Sequence, residues 1–500
     1  MFLWKFFFLV VALFFCMKHP FINSEKQAFD LRQIKIWGPG LEPQNIVMPA
    51  RYFFIDATNV HFNRLADYLS IVVDGTTVQK RPCRIWTNIL DRKDGLVIVR
   101  YKIYEQCTYL KIIVHFDGNL VGNSPYIINE NVSPECNCPR QNITEFIKKW
   151  HCGKVPRQIN SDFLVFKTID WNHIRKRIID NFDKPHSISL CHYVVKQNSI
   201  FRKCYGKYVG FNMFSDAILL SLAKKVNLPD LEFFVNLGDW PLSLKSSSDI
   251  YPIFSWCGSD DSYDIVMPTY QLTEASLENM GRVMLDMLSV QGNVEDVWEQ
   301  RQPRLFWRGR DSNRYRLDLI KLSKRYPNLF NVSLTNFFFH KEEEHIYGPK
   351  SDHVSFFDFF RFKYQIAIDG TVAPYRMPFL FGGGSLIFKP HSKYYEHFYK
   401  DLEPNYHYVP LNEDLSDLLE KLHWAQENDS KAKEIASNGQ KFANKHLLPQ
   451  HIFCYHIHLL NELRKKITSK VDILEGMEYV EQKSDAQCDC SMESRKKDEL

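Results

Sequence analysis

The rhythm of hydrophobic and polar positions changes part-way along this chain. Between Ile36 and Ile128 apolar residues fall in short runs separated by turn signals: Arg51-Tyr52-Phe53-Phe54-Ile55, Leu96-Val97-Ile98-Val99-Arg100-Tyr101, Leu110-Lys111-Ile112-Ile113-Val114-His115-Phe116 and Tyr126-Ile127-Ile128. Alternating or continuous runs of this length predict an antiparallel β-sandwich. From about residue 150 the period lengthens. Residues 212–226 carry apolar positions at helical spacing and lead through Leu228-Pro229-Asp230 into a buried-strand run at 231–237. The pairing recurs: helices over 276–288 and 315–325, strands at Leu305-Phe306-Trp307, 364–368 and 385–388. Strands alternating with helices predict two doubly wound, Rossmann-like α/β halves facing a cleft, with ligands beyond the carboxyl ends of the strands. The change of rhythm divides the chain near residue 134.

Composition fits this picture. At 500 residues and 45% hydrophobic content, the chain supports roughly two or three cores by the rule of ~150 residues per domain. A net charge of +4 spread over 63 basic and 59 acidic residues gives no global field, and no nucleic-acid partner is expected. Lys5 precedes an apolar run over 6–17, the length of a signal-peptide core and too short to span a bilayer. The last four residues, Lys497-Asp498-Glu499-Leu500, spell the address that retrieval receptors read in the endoplasmic reticulum. The two signals predict a leader over 1–24, a mature protein in the ER lumen, a KDEL receptor as partner and no stable membrane insertion. Asn131, Asn142, Asn331 and Asn428 head glycosylation sequons, consistent with that compartment. Of twelve cysteines, Cys16 lies in the leader, so an odd number remains and at least one is free or joined to another chain. Cys136-Asn137-Cys138 reads as a staple at the domain boundary, and Cys191 with Cys204 closes a short loop. Cys488-Asp489-Cys490 sits in a polar tail without further ligands, so disulfides are favoured over zinc.

The strand exits carry the candidate chemistry. After the 231–237 run comes Gly238-Asp239-Trp240-Pro241, where a carboxylate beside an aromatic suits a general base that takes a proton from a hydroxyl; a turn aspartate capping local amides has the same sequence appearance. Arg308-Gly309-Arg310-Asp311-Ser312, with Arg314 and Arg316 at an expected helix start, combines guanidinium groups and amide donors suited to a diphosphate. Asp369-Gly370-Thr371-Val372-Ala373-Pro374-Tyr375-Arg376 repeats the arrangement. Taken singly, each basic loop also reads as a solvated turn. No Asp-x-Asp pair follows a clear strand, and the acidic stretch 260–264 follows polar residues and reads as a loop. Arginines are therefore expected to do the work of a cation, with no metal.

Two resemblances rest on these residues. Gly38-Pro39-Gly40-Leu41-Glu42, Asp94-Gly95 ahead of Val99-Arg100-Tyr101, and Asn123-Ser124-Pro125-Tyr126 resemble, in order, the filamin-type immunoglobulin repeat, which implies an all-β immunoglobulin-like sandwich over 28–134. Val235-Asn236-Leu237-Gly238-Asp239-Trp240-Pro241, Pro252-Ile253-Phe254-Ser255, Asp264-Ile265-Val266-Met267-Pro268, Trp307-Arg308-Gly309-Arg310-Asp311-Ser312 and the 369–376 block resemble the Rumi-like protein O-glucosyltransferases. The whole layout is similar to their KDEL-motif-containing branch. That resemblance implies a GT-B fold over 135–470, a polar tail over 471–500, and inverting, metal-independent transfer of glucose from UDP-glucose to serine in EGF-like repeats, with Notch-type receptors as clients. Asp239 matches the catalytic base, and Arg316 and Arg376 match arginines that hold the diphosphate. Arg310, Thr371, Val372, Ala373, Pro374 and Tyr375 fall on positions lining the nucleotide site. The family also suggests bridges Cys136 to Cys454, Cys138 to Cys152 and Cys191 to Cys204, with Cys83 and Cys107 joined inside the sandwich. Two other readings stay open: transfer of xylose on the same scaffold, and a non-catalytic lumenal binding protein. A decayed enzyme would be expected to lose the base or the arginines, and this chain keeps Asp239, Arg316 and Arg376.

Overall fold

A computed structural model describes residues 30–60, 64–136, 138–139, 141–184, 190–207, 209–277 and 286–482. The expected leader, the Cys488-Asp489-Cys490 tail and the terminal address lie outside these residues, as does the middle of the expected helix over 276–288.

The amino-terminal part is a β-sandwich. Its strands are β1 (Lys35–Trp37), β2 (Arg51–Asp56), β3 (Leu69–Thr76), β4 (Ile85–Asp91), β5 (Leu96–Ile103), β6 (Tyr109–Phe116), β7 (Asn119–Leu120) and β8 (Tyr126–Ile128). One sheet runs β1-β2-β5-β4 and the other β3-β6-β7, with β8 also on β6; every pairing is antiparallel. Phe53, Ile55, Val97, Val99, Ile112 and Val114 fill the space between the sheets. β2 and β5 are apolar on both faces for a physical reason: their other face, through Tyr52, Phe54, Leu96 and Ile98, joins the core of the following α/β part, so neither face meets water. Cys83 and Cys107 are bonded, as the resemblance implied.

The first α/β lobe carries β9 (Leu190–Lys196), β10 (Ser199–Tyr205), β11 (Leu231–Asn236), β12 (Ile253–Ser255), β13 (Gly258–Ser259) and β14 (Ile265–Val266). Its main sheet runs β14-β12-β11-β9-β10 and ends on an edge strand, Glu478–Tyr479. β11, β12 and β14 are parallel, whereas β9, β10 and the edge strand pair antiparallel. This half is therefore mixed rather than purely parallel. The cause is local: Gln197 and Asn198 both have positive φ, 49° and 61°, the two-residue geometry that folds one strand straight back on its neighbour. The Cys191–Cys204 bridge joins directly opposed residues of that hairpin.

The second lobe contains β15 (Gln302–Arg310), β16 (Phe330–Asn336), β17 (Phe362–Ile366), β18 (Leu386–Pro390), β19 (Tyr394–Tyr395) and β20 (Val409–Leu411). Its sheet runs β16-β15-β17-β18-β20 and is wholly parallel. The chain direction of this order reverses between β15 and β17, the crevice where doubly wound sheets receive ligands. β19 instead pairs with β13 of the first lobe. The helix Pro449–Lys466 returns to the first lobe and buries Ile452, Phe453, Ile457 and Leu460 in its core. The arrangement is GT-B-like, two α/β lobes across a cleft, preceded by a filamin-type sandwich.

One pair of expected bridges is corrected. Cys454 is bonded to Cys152, not Cys136, which also removes Cys138 to Cys152. The turn after the helix Ile143–Lys149 lies along the returning helix: Gln450 Nε2 donates to the Trp150 carbonyl at 2.7 Å, and Trp150 meets Phe453 edge-on at 5.5 Å. That packing brings Cys152 to Cys454. Cys136 and Cys138 are each disulfide-bonded. Among the described residues the free cysteine is Cys257, which is buried.

Candidate active site

The turn after β11 is built by side chains that take over its backbone hydrogen bonds. Asn236, the last residue of β11 and fully buried, accepts from the Gly238 amide at 2.8 Å. Its Nδ2 donates to the Trp240 carbonyl at 2.7 Å and to Ser255 Oγ at 3.1 Å. Asp264 accepts from the amides of Leu242 (2.8 Å) and Ser243 (2.7 Å) and from Ser255 Oγ (2.6 Å). Asp239 stands between these anchors, partly buried beside the half-exposed Trp240. Burial pushes its carboxyl above the ordinary value, because the charged form loses water there.

Across the cleft, the ends of β15 and β17 meet at the crevice. Arg310 ends β15 and is exposed. Asn313 caps the helix Arg314–Arg325: its Oδ1 accepts from the Arg316 amide at 3.1 Å, while its Nδ2 donates to the carbonyls of Asp369 and Gly370, both at 2.9 Å. Arg316 is buried and spends its guanidinium on the loops. Nε donates to the Asp369 carbonyl (2.6 Å), Nη1 to the Arg310 carbonyl (3.0 Å) and Ser312 Oγ (3.2 Å), and Nη2 to the Ile368 carbonyl (3.3 Å). It also lies over the Trp307 ring, 5.2 Å from its centre. Two glycines make this approach possible. A Cβ on Gly309 would meet the Trp307 ring at 2.4 Å, and one on Gly370 would meet Arg316 Nη2 at 3.0 Å. Arg376 donates from Nη1 to the Arg308 carbonyl at 2.6 Å. Burial lowers the pKa of Arg316 to about 9, with the neighbouring charge of Arg376 as the next cause, and burial lowers that of Arg376 to about 10. Two like charges are thus held close where water screens them poorly.

The 371–375 loop joins the halves. Val372, Ala373 and Pro374 are buried, Thr371 and Tyr375 partly so. Val372 and Ala373 turn inward onto Cys257 of the first lobe, so their side chains are committed to packing between the lobes. Cys257 Sγ donates in turn to the Asp239 carbonyl at 3.4 Å. Tyr375 and Tyr270 meet edge to face at 5.8 Å. Burial raises the Tyr270 hydroxyl to about 12, and it feels both the Asp239 carboxylate and the Arg310 guanidinium. The structure therefore brings Asp239, Arg310, Arg316, Arg376 and the 371–375 loop to one cleft.

Sequence reasoning passed over several residues here. Asn236 and Asp264 lay inside the blocks that carried the resemblance, but their partners are not sequence neighbours. Cys257 and Tyr270 carried no signal beyond their type. Asp311, in the middle of the basic loop, is fully buried and accepts from the amides of Phe338 (2.7 Å), Phe339 (2.9 Å) and His340 (2.6 Å). Its function is to hold the loop after β16. Among the described residues, His340, Glu342 and Glu343 on that loop lie close enough together to share an ion. A cavity of 1280 Å³ lined by Trp37, Arg92, Trp298, Lys441 and Leu448 lies at the opposite end of β15, between sandwich and second lobe, and contains none of the expected site residues.

Comparison with known proteins gives this cleft a context. Glycosyl transferase family 90 matches residues 147–500. This chain belongs to that family. It is a glycosyltransferase, and the filamin/ABP280 repeat matches residues 28–127. The chain is 48% identical over 471 residues to protein O-glucosyltransferase 2 of Danio rerio, covering 93% of this chain and 94% of that one. It is 43% identical over 479 residues to protein O-glucosyltransferase 3 of Homo sapiens, again with 93% and 94% covered. Protein O-glucosyltransferase 1 of Homo sapiens is 28% identical over 298 residues, 58% of this chain and 76% of that one.

Proposed function

We propose that this chain is a protein O-glucosyltransferase that moves glucose from UDP-glucose to a serine hydroxyl of EGF-like repeats, Notch-type receptors among them, with inversion and without a metal ion. The names of its relatives support protein O-glycosylation. The observation that carries the chemistry is the pair Arg316 and Arg376, two crowded, partly desolvated cations across a shared loop from a carboxylate whose charge is also opposed by burial. A bound diphosphate relieves the first problem, and a hydroxyl proton the second.

In this reading Asp239 accepts the serine proton as Oγ attacks the anomeric carbon from the face opposite UDP. The bond from that carbon to the diphosphate oxygen breaks, and its electron pair leaves with UDP. Arg376 retains donors beyond its bond to the Arg308 carbonyl, its one hydrogen bond among the described residues, and serves as the direct ligand of the leaving group. Arg316 contributes charge and holds the loops. Arg310 and the backbone of Thr371, Val372, Ala373, Pro374 and Tyr375 complete the nucleotide site. The transferase unit spans 135–470 and the sandwich 28–134; the leader and terminal address assign the protein to the ER lumen and to the KDEL receptor.

The decisive assay incubates folded EGF-like repeats with the protein and UDP-glucose or UDP-xylose, with and without EDTA, and locates the modified residue by mass spectrometry. Glucose on a serine, undiminished by EDTA, is the expected outcome. Transfer from UDP-xylose alone, or none from either donor, rejects it. Asp239→Asn is expected to lower transfer about 10²- to 10⁴-fold, the range for a lost general base, while UDP binding by calorimetry is retained.

A further inference from the structure

We propose that Asn236 and Asp264 are positioning residues for Asp239, forming with Ser255 a buried polar clasp that fixes the turn on which the carboxylate stands. This rests on the reading of Asp239 as the base. The clasp reaches both sides of that residue. Upstream, Asn236 holds the Gly238 amide; downstream, the same amide group holds the Trp240 carbonyl, and Asp264 holds the amides of Leu242 and Ser243. Ser255 Oγ links the two, accepting from Asn236 and donating to Asp264. Asn236 and Asp264 are 0% and 1% exposed.

The choice of residues is informative. A buried carboxylate without a cation partner is costly, and the partners of Asp264 among the described residues are neutral donors. Burial accordingly pushes its carboxyl upward. A turn that only had to connect β11 to β12 could be closed with less polar material. Two of the three donors to Asp264 belong to the turn that follows Asp239, and the third to the strand beside it. What this arrangement secures is a fixed direction for one side chain, which a reacting group needs to within a fraction of an ångström.

Three variants test the clasp in the full-length protein. Asp264→Asn keeps the size but turns an acceptor into a donor that faces backbone N–H groups. Asn236→Ala removes the upstream half without changing any charge. Ser255→Ala removes only the linking hydroxyl and is the variant most certain to fold. The first two are expected to lower kcat for transfer about 100-fold, the scale of a misplaced reacting group, and the third about fivefold, the scale of one hydrogen bond. The affinity for UDP-glucose is expected to stay unchanged.

A loosened turn also admits water to Asp239, so the acid limb of the pH–kcat/KM profile moves to lower pH. The groups that face Asp239, namely Cys257, Tyr375 and Tyr270 with Arg310 behind it, are untouched in Asn236→Ala, where the movement reports hydration alone. Unchanged kcat in all folded variants overturns the proposal, as does a joint loss of kcat and donor affinity with the acid limb unmoved. Asp239→Asn, measured alongside, separates the two ideas. If it is fully active the base assignment fails; if it is inactive while the clasp variants work normally, only the clasp fails.

Discussion

Arg316 and Arg376 occupy neighbouring positions but have unequal freedom. Arg316 is bonded through Nε and both Nη atoms to loop oxygens, whereas among the described residues Arg376 makes a single such bond. Arg376→Lys is therefore expected to raise the Kd for UDP about 10- to 100-fold, the value of one or two charge-assisted hydrogen bonds, with little change in thermal stability. Arg316→Lys is expected to cost both binding and stability, because the loops lose the fork that joins them; calorimetry with UDP and thermal unfolding distinguish the two. Asp239 gives the pH dependence. Burial raises its carboxyl, so it is protonated over more of the acid range than a solvated aspartate; if it is the base as proposed, kcat/KM rises as pH climbs through that raised value and falls below it. A profile whose acid limb survives unaltered in Asp239→Asn would remove the assignment. These three residues stood out in the sequence because each follows a strand in a motif, and the structure brings them to one cleft. The unequal hydrogen bonding of the two arginines was not legible there, since it depends largely on the carbonyls of Asp369, Ile368 and Arg308, each more than fifty residues from its partner.

At the scale of elements, the loop after β16 hangs on one buried carboxylate. Asp311→Ala frees three backbone amides at Phe338, Phe339 and His340 and is expected to cost about 3 kcal/mol, roughly 1 kcal/mol for each part-buried hydrogen bond lost, readable by urea unfolding. It also releases the exposed rings of Phe338 and Phe339, 61% and 50% accessible, at the cleft side of the sheet. The helix 212–226 and the strands at 231–237, 305–307 and 364–368 were legible from periodicity, and each lies on a matching element, with ends displaced by a few residues. The β9–β10 hairpin was not. Cys191 and His192 interrupt its apolar pattern, and Gln197-Asn198 lacks the glycine that usually marks such a turn. Asp264 illustrates a different limit: its acidic neighbours 260–264 do form a loop, yet its own carboxylate is a buried fastener, which only tertiary partners show.

Across the whole molecule, sandwich and transferase share a core rather than a tether. Tyr52, Phe54, Leu96 and Ile98 belong to the same buried cluster as the first lobe. Arg100 bridges outward to Asp286 Oδ2 at 3.0 Å and Ser289 Oγ at 3.1 Å, and Arg92 to Gln291 Oε1 at 3.2 Å. Removing the sandwich is expected to leave an aggregation-prone transferase with a lowered melting temperature, measurable by scanning calorimetry and light scattering. The change of rhythm near residue 134 revealed two kinds of fold but not this joint face, although the unbroken apolar runs of β2 and β5 were its trace. Replacing Cys152 with Ser is expected to destabilise by about 2–5 kcal/mol, because the bridge to Cys454 joins positions 302 residues apart. The returning helix and the edge strand Glu478–Tyr479 impose an order on biosynthesis. A ribosome delivers the second lobe in full before the first lobe receives its closing pieces, so the nascent chain carries an unfinished apolar surface until residues 449–479 emerge, and a truncation ahead of them would injure a lobe synthesised long before the cut.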